Sequence, residues 1–292
     1  NIYTGVTTIT EGALQAQDGD GLSSGSALVL GGGATTQVSV FQSSGLFDRN
    51  LGTGTGEVSW GTGLTTGGSG FAASTEKLTV AIGGLGTETT LVWNTAGFLP
   101  TGTGAGAALV LNSTTALAEV EFRNAIDLNG ASRVINVQDN TSTFTDFATI
   151  TGVINNSTGT AGITKTGNGV LRLGGGNTYN GVTAVTAGTV VVDSLGDSAT
   201  ASGSSVGASG VAMDDTNAVV LGNATNIGGI LQYVGAGEVS DRKIRLQGTT
   251  ASNQIHADGS GALILTNVAH DTTATGNKTV FLRASNAMGN MI

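Results

Sequence analysis

Residues 177–188 read NTYNGVTAVTAG, and residues 1–12 read NIYTGVTTITEG. Seven of these twelve positions are identical, and the two stretches align without a gap. Repetition at this level is the signature of an array of similar structural units, each of which buries its apolar face on its neighbours. The sequence therefore predicts a repeat architecture, and short strands rich in Gly and Thr favour a solenoid among such architectures.

The composition narrows the class of protein. Of 292 residues, 49 are Gly and one is Pro, and charged residues make up 11%, compared with roughly 25% in an average soluble domain. Disorder requires low hydrophobicity together with high charge, whereas Val, Ile and Leu recur throughout this chain. The absence of Cys excludes disulfides and thiol chemistry. Lys and Arg total 11 against 20 Asp and Glu, without a basic cluster, so we expect no nucleic-acid partner.

Strands are predicted along the whole chain. Gly recurs every few residues and costs about 1 kcal/mol at each position inside a helix. The best helical candidate, Thr115–Leu128, alternates apolar and polar residues with period two, which indicates strand. The same alternation occurs around Arg172, Arg245 and Thr79. No run of about 18 apolar residues is present, so we expect no transmembrane helix.

Many short strands could form a sandwich, a barrel or a solenoid. Few large aromatic residues, short recurrent strand–turn spacing and many small residues favour an elongated parallel β-solenoid, with roughly 20–25 residues in each coil. We predict one continuous solenoid over residues 1–292, with a first long unit at 1–176 and a second, partial unit at 177–292. An Asp-Arg pair recurs in both, at Asp48-Arg49 and Asp241-Arg242. Neither end carries a polar cap, so we expect uncapped ends.

Residues 162–173, GITKTGNGVLRL, continue through residues 177–190 in a pattern that closely resembles the autotransporter-associated β-strand repeat, and residues 1–14 resemble its second half. The resemblance implies a right-handed parallel β-solenoid that is exported to the bacterial cell surface. It implies no catalytic residues, because the repeat motif is structural. The motif positions are Asn1, Tyr3, Gly5, Gly12, Lys165, Gly167, Gly169, Asn177, Tyr179, Gly181 and Gly188.

Candidate chemistry is sparse. Asp18 and Asp20 could bind calcium weakly, since carboxylates in turns suit hard cations, but a plain turn is the favoured interpretation of that segment. Otherwise we expect no cofactor, no metal and no catalytic residue.

Three functions follow from the sequence. The favoured hypothesis is an extracellular structural or adhesive solenoid in a surface fibre, which stacks end to end on identical subunits or neighbouring repeats. The first alternative is an adhesin passenger that binds surface glycans through inserted loops such as Gly61–Gly70 or Gly196–Gly210. The second is a polysaccharide-degrading enzyme, which would need clustered carboxylates. The carboxylates here are scattered, so we expect a non-enzyme.

Overall fold

The computed structural model describes residues 1–31, 37–62, 67–95, 97–100, 107–174, 176–200, 202–248, 250–270, 278–287 and 289–291. Over these ranges the protein is all-β and contains no helix. In particular, the described residues offer no helix with the length and apolar character needed to cross a membrane. The chain divides into two compact units, one formed by 1–129 and 133–152, the other by 130–132 and 153–292.

The strands of the first unit are short, apart from two long ones. They are β1 (Thr7–Ile9), β2 (Gly12–Gln15), β3 (Leu28–Leu30), β4 (Val38–Phe47), β5 (Val58–Trp60), β6 (Gly68–Val80), β7 (Leu91–Val92), β8 (Ala108–Leu111), β9 (Val120–Phe122), β10 (Ile126–Asp127), β11 (Arg133–Val137) and β12 (Ala148–Ile150).

All ladders of named strands within the first unit are parallel. β1, β3 and β5 form one stack, and β2, β4, β6, β8 and β11 form a second. The second half of β6 continues into β9 and β12, and β7 pairs with β10. Parallel strands require a crossover between them, and here each crossover carries strands of the other stacks.

The strands of the second unit are of similar length. They are β13 (Ile154–Asn155), β14 (Ile163–Thr166), β15 (Val170–Leu173), β16 (Thr183–Val185), β17 (Thr189–Val192), β18 (Gly203–Ser204), β19 (Gly207–Ala208), β20 (Val219–Leu221), β21 (Ile230–Tyr233), β22 (Glu238–Ser240), β23 (Ile244–Leu246), β24 (Ser252–Ala257), β25 (Leu263–Leu265), β26 (Val268–His270) and β27 (Thr279–Ala284).

Two parallel stacks dominate the second unit. One runs β14, β16, β20, β23, β26, and the other runs β15, β17, β21, β24, β27. β22 and β25 form a further parallel pair, and β18 with β19 forms an antiparallel hairpin. In the first stack Ile163 lies beside Thr183, which lies beside Val219 and then Ile244. These steps of 20, 36 and 25 residues are consistent with coils of a solenoid in which one coil carries an insertion.

The predicted alternation is confirmed at particular residues. Thr115–Leu128 contains β9 and β10 and no helix. Arg172 and Arg245 are outward residues of β15 and β23, and their apolar neighbours are buried. The predicted loop Gly61–Gly70 is shorter than expected, because Gly68–Gly70 begins β6; its residues 63–66 lie outside the described residues. A Cβ at Gly70 would collide with the backbone of Val110, which explains a Gly in that strand.

The two units fill their cores differently. In the second unit like residues stack along the ladder, as Leu171, Val190, Leu231 and Ile255 do in register, and all four are buried. In the first unit a chain of ring contacts at 4.8–5.8 Å between centroids fills the interior, through Phe41, Phe47, Phe71, Trp60, Phe98 and Trp93. The few aromatic residues are thus concentrated in one unit, where each buries a large apolar area.

Candidate functional site: the polar interior of the repeat motif

Lys165 occupies an inward position of β14. Lys165 pairs in register with Val185 of β16, which pairs in turn with Leu221 of β20 and then with Leu246 of β23. The Lys165 side chain is completely buried. A buried ammonium group is costly unless its donors are satisfied, so the surroundings of Nζ decide what this residue can do.

Backbone carbonyls surround the ammonium group. Nζ donates to the carbonyl oxygens of Gly167 at 2.5 Å, Gly169 at 2.5 Å and Ala187 at 3.0 Å. Three acceptors match the three N–H donors of Lys. Gly188 follows at φ +65°, and a Cβ there would collide with Nζ and with the Gly169 oxygen. The glycines of the motif therefore leave room for the ammonium, which joins the β14–β15 turn to the next coil.

Asn177 connects three segments in the same way. Its Oδ1 accepts a hydrogen bond from Ile154 N at 2.8 Å. Its Nδ2 donates to the carbonyls of Gly174 at 2.9 Å and Ser205 at 2.9 Å. The side chain is 2% exposed. A buried amide with these partners stabilises the backbone around it.

Tyr179 and Tyr3 hold equivalent positions in the two copies and make equivalent contacts. Tyr179 Oη is 2.7 Å from Thr183 Oγ1, and Tyr3 Oη is 3.0 Å from Thr7 Oγ1. Tyr179 is completely buried, whereas Tyr3 is 41% exposed. Burial raises the pKa of the Tyr179 phenol well above its ordinary value, so this hydroxyl stays protonated and acts as a hydrogen-bonding group.

Two buried arginines extend the motif, although the sequence indicated them only as a repeated Asp-Arg pair. Arg242 is completely buried and donates from Nε to Leu195 O at 2.7 Å and from Nη1 to Asn217 O at 2.9 Å. Arg49 donates from Nη1 to Ser26 O. Asn217 lies two residues before β20, which pairs with the repeat strand β16. Ser26 lies two residues before β3, which pairs with the repeat strand β1. Both guanidinium groups therefore bind the backbone at corresponding places.

The calcium candidates lie in a turn. Asp18 Oδ1 is 2.6 Å from Nη2 of Arg49 and 3.0 Å from its Nε, which makes a two-point ion pair. Asp20 accepts a hydrogen bond at its backbone oxygen from the amino group of Asn1. Within the described ranges, no three His, Asp or Glu side chains are grouped so that they could hold a metal ion.

The remaining motif residues lie in connecting segments or, for Gly12, at the start of β2. Asn1 donates from Nδ2 to Gly21 O at 2.6 Å in an exposed setting. Gly12 has φ +77°, which favours glycine. A Cβ at Gly181 would collide with neighbouring backbone, whereas one at Gly5 would meet nothing within 4 Å. The Lys and Asn side chains of the motif thus bind backbone groups of their own unit, and the Tyr hydroxyls lie against a Thr hydroxyl of the same unit, which is the geometry of a structural element.

Comparison with known proteins agrees with this geometry. The passenger-associated-transport-repeat family model matches residues 1–16 and 163–192, and the second match contains Lys165, Asn177 and Tyr179. The chain is also 33% identical over 168 residues to the adhesin BmaC autotransporter of Brucella suis biovar 1 (strain 1330). The aligned region is 56% of this chain but only 4% of that adhesin. No solved structure matches the chain.

The predicted resemblance to an autotransporter repeat is confirmed by these two matches. The chain carries the passenger-associated transport repeat in two places, and it is similar to an autotransporter adhesin; together these findings support an autotransporter passenger repeat protein.

Proposed function

We propose that the chain is part of a surface adhesin passenger, in which each unit is a right-handed parallel β-solenoid that presents loops to the outside. The observation that carries the proposal is the inward direction of the repeat motif. Lys165 and Arg242 are completely buried and donate to backbone carbonyls. Their role is to hold coils together, while contact with other surfaces is left to the turns.

The passenger repeat and the adhesin relative support a location at the cell surface and a role without catalysis. The sequence-based hypothesis placed a structural or adhesive fibre first and an adhesin passenger that binds glycans through its loops second. The similarity to an adhesin favours the reverse order, so adhesion is the function proposed here. The candidate calcium site is not part of the proposal, because Asp18 is engaged by Arg49.

Adherence of the purified chain tests this function directly. Microspheres coated with the chain should adhere to cultured epithelial cells or to a mucin-coated surface more than microspheres coated with an unrelated β-rich protein of equal mass. Adherence no greater than that of the control on both surfaces would contradict the proposal.

End-to-end stacking is a second candidate function, supported by exposed apolar residues on β27. Leu282 continues the buried ladder that includes Leu231 and Ile255, yet it is 54% exposed. Its neighbour Phe281 is 46% exposed. A further coil laid on β27 would cover Leu282 and satisfy a strand edge, whereas Phe281 lies on the outer face beside Gln254.

Assembly can be measured by sedimentation velocity over a hundredfold range of concentration, with electron microscopy of the same samples. The wild-type chain should form species that grow with concentration, and Leu282→Lys should abolish them. Leu85→Lys, at a residue that is 55% exposed and lies in a turn away from β27, is the matched control. A monomer at all concentrations would contradict stacking and leave the adhesive function to its own test.

A further inference from the structure

Phe144 is 99% exposed, although other phenylalanines of the first unit, such as Phe122, are completely buried. It lies in the turn 139–147, which reads DNTSTFTDF. A large aromatic side chain gains most from removal from water. A fully exposed one gains nothing inside its own fold, and its position therefore points to a contact outside the molecule.

The turn that carries Phe144 is held by its own hydrogen bonds. Asn140 N donates to Asp146 Oδ2 at 2.6 Å, and Thr143 N donates to Asn140 O at 3.0 Å. The hydroxyls of Thr143 and Thr145 are 2.7 Å apart. These bonds fix the turn before any partner binds, which reduces the entropy lost on binding.

A second turn, 112–119, lies against the first and fixes it further. Asn140 Nδ2 donates to Ala116 O at 2.8 Å, and Thr145 Oγ1 donates to Leu117 O at 2.6 Å. Leu117 is 47% exposed. The two turns thus present a phenylalanine and a leucine together with a series of short hydroxyl side chains.

A groove of about 460 Å³ is bordered by the turn 112–119 and by Gln138, the residue just before the turn 139–147. Thr114, Thr115 and Gln138 contribute polar groups to it, and Val38 and Val40 contribute apolar surface. Gln42 connects the groove wall to β4, since its Nε2 donates to Thr115 O at 3.1 Å. A concave site with mostly apolar surface and a few fixed polar groups has the character of a small-ligand site.

The charge of the two turns selects among partners. Residues 112–119 and 139–147 contain three acidic residues, Glu119, Asp139 and Asp146, and no Lys or Arg. Nucleic acids and anionic membranes both require basic residues, and acidic glycans would be repelled. Hydroxyl and amide side chains can exchange hydrogen bonds with sugar hydroxyls, and the apolar face of a sugar ring can lie on an aromatic ring.

We infer that turns 112–119 and 139–147 form a binding surface for neutral oligosaccharides, in which Phe144 contacts the apolar face of one sugar ring and the groove lined by Thr114 and Gln138 binds hydroxyls of another sugar of the same oligosaccharide. The inference rests on the adhesive function proposed above and gives that function a ligand class and a location.

The test uses a panel of neutral oligosaccharides that end in galactose, mannose or N-acetylglucosamine, together with their sialylated counterparts. The chain should bind at least one neutral member in preference to its sialylated counterpart. Phe144→Ala should weaken that binding at least tenfold, and Phe144→Trp should preserve it. Leu85→Ala removes an exposed apolar side chain from another turn and should leave binding unchanged.

Other outcomes overturn the inference and separate it from the proposed function. If the Phe144→Ala variant still binds the neutral oligosaccharide, the sugar binds at another place on the chain. Failure to bind any neutral oligosaccharide would refute a carbohydrate ligand. The same conclusion would follow if Phe144 were needed for binding to phosphatidylcholine–phosphatidylglycerol vesicles and not for binding to any oligosaccharide. In each case adherence of chain-coated microspheres measures the adhesive function independently, because it does not presuppose the ligand.

Discussion

Replacement of Lys165 by Met tests whether the buried ammonium holds neighbouring coils together. Met has a similar length but no donor, so the carbonyls of Gly169 and Ala187 lose a hydrogen bond that is buried in the folded chain. The Ala187 oxygen is then left without the donor that Lys165 supplied, which costs about 1–3 kcal/mol, whereas the Gly169 oxygen keeps Thr189 N as a donor and loses about 1 kcal/mol. Met also avoids the desolvation of a charge, which offsets part of that loss. We therefore expect a net destabilisation of about 2 kcal/mol.

Equilibrium urea denaturation gives the total change in the free energy of unfolding. Because solenoids can unfold by segments, hydrogen exchange at Thr189 N, which donates to Gly169 O at 3.4 Å, gives a local reading. The control is Lys77→Met, since Lys77 is 47% exposed and pairs with Glu121 at 2.9 Å. That change should cost less than about 1 kcal/mol. A loss for Lys165→Met no larger than the control, with unchanged exchange at Thr189, would refute the reasoning.

Three further predictions concern other parts of the repeat. Tyr179→Phe should cost about 1–2 kcal/mol because it removes a buried hydroxyl, whereas Tyr3→Phe should cost less than about 0.5 kcal/mol; urea denaturation of both variants measures the difference, and equal losses would contradict it. Burial raises the pKa of Glu238, so the folded state binds this proton more tightly than the unfolded state does. The stability that the protonated carboxyl contributes is complete below its ordinary pKa and is lost as pH rises through the raised pKa. Glu238→Gln should therefore match wild type near pH 4 and exceed it at pH 7, and an unchanged difference between these pH values would be evidence against that burial effect. Because Asp18 is paired with Arg49, EDTA should leave the Tm unchanged, and a Tm that falls with EDTA and returns with calcium would show a metal site.

The strands and their parallel order could be predicted because they depend on local pattern and on repetition. Leu171 and Leu173 flank Arg172, and this alternation indicates a strand with its leucines on the buried face and its arginine on the outer face. The copy at residues 177–188 likewise indicated that Tyr3 and Tyr179 are equivalent, and both contact a Thr four residues later. Closure and handedness of the coils are not contained in such patterns.

The contacts of the buried cations could not be predicted, since they join residues that are distant in sequence. Arg49 pairs with Asp18 across 31 positions, and Arg242 reaches Leu195 across 47. Composition was also misleading about the aromatic residues, because a low average concealed their concentration around Phe71. Exposure of Phe144 had no sequence signal, as a Phe in a Thr-rich stretch resembles any inward strand residue.

Strand pairing in the second unit is insensitive to the length of chain between partners. The step from Thr183 to Val219 contains the β18–β19 hairpin, yet both neighbours keep an unbroken register. Evolution can therefore change what this coil presents by lengthening or replacing one turn, without any compensating change in the core. Such a chain could vary the sequence of its turns while its scaffold remains constant. For the same reason, the segment between Gly196 and Gly210 is a natural place to graft a foreign epitope for display.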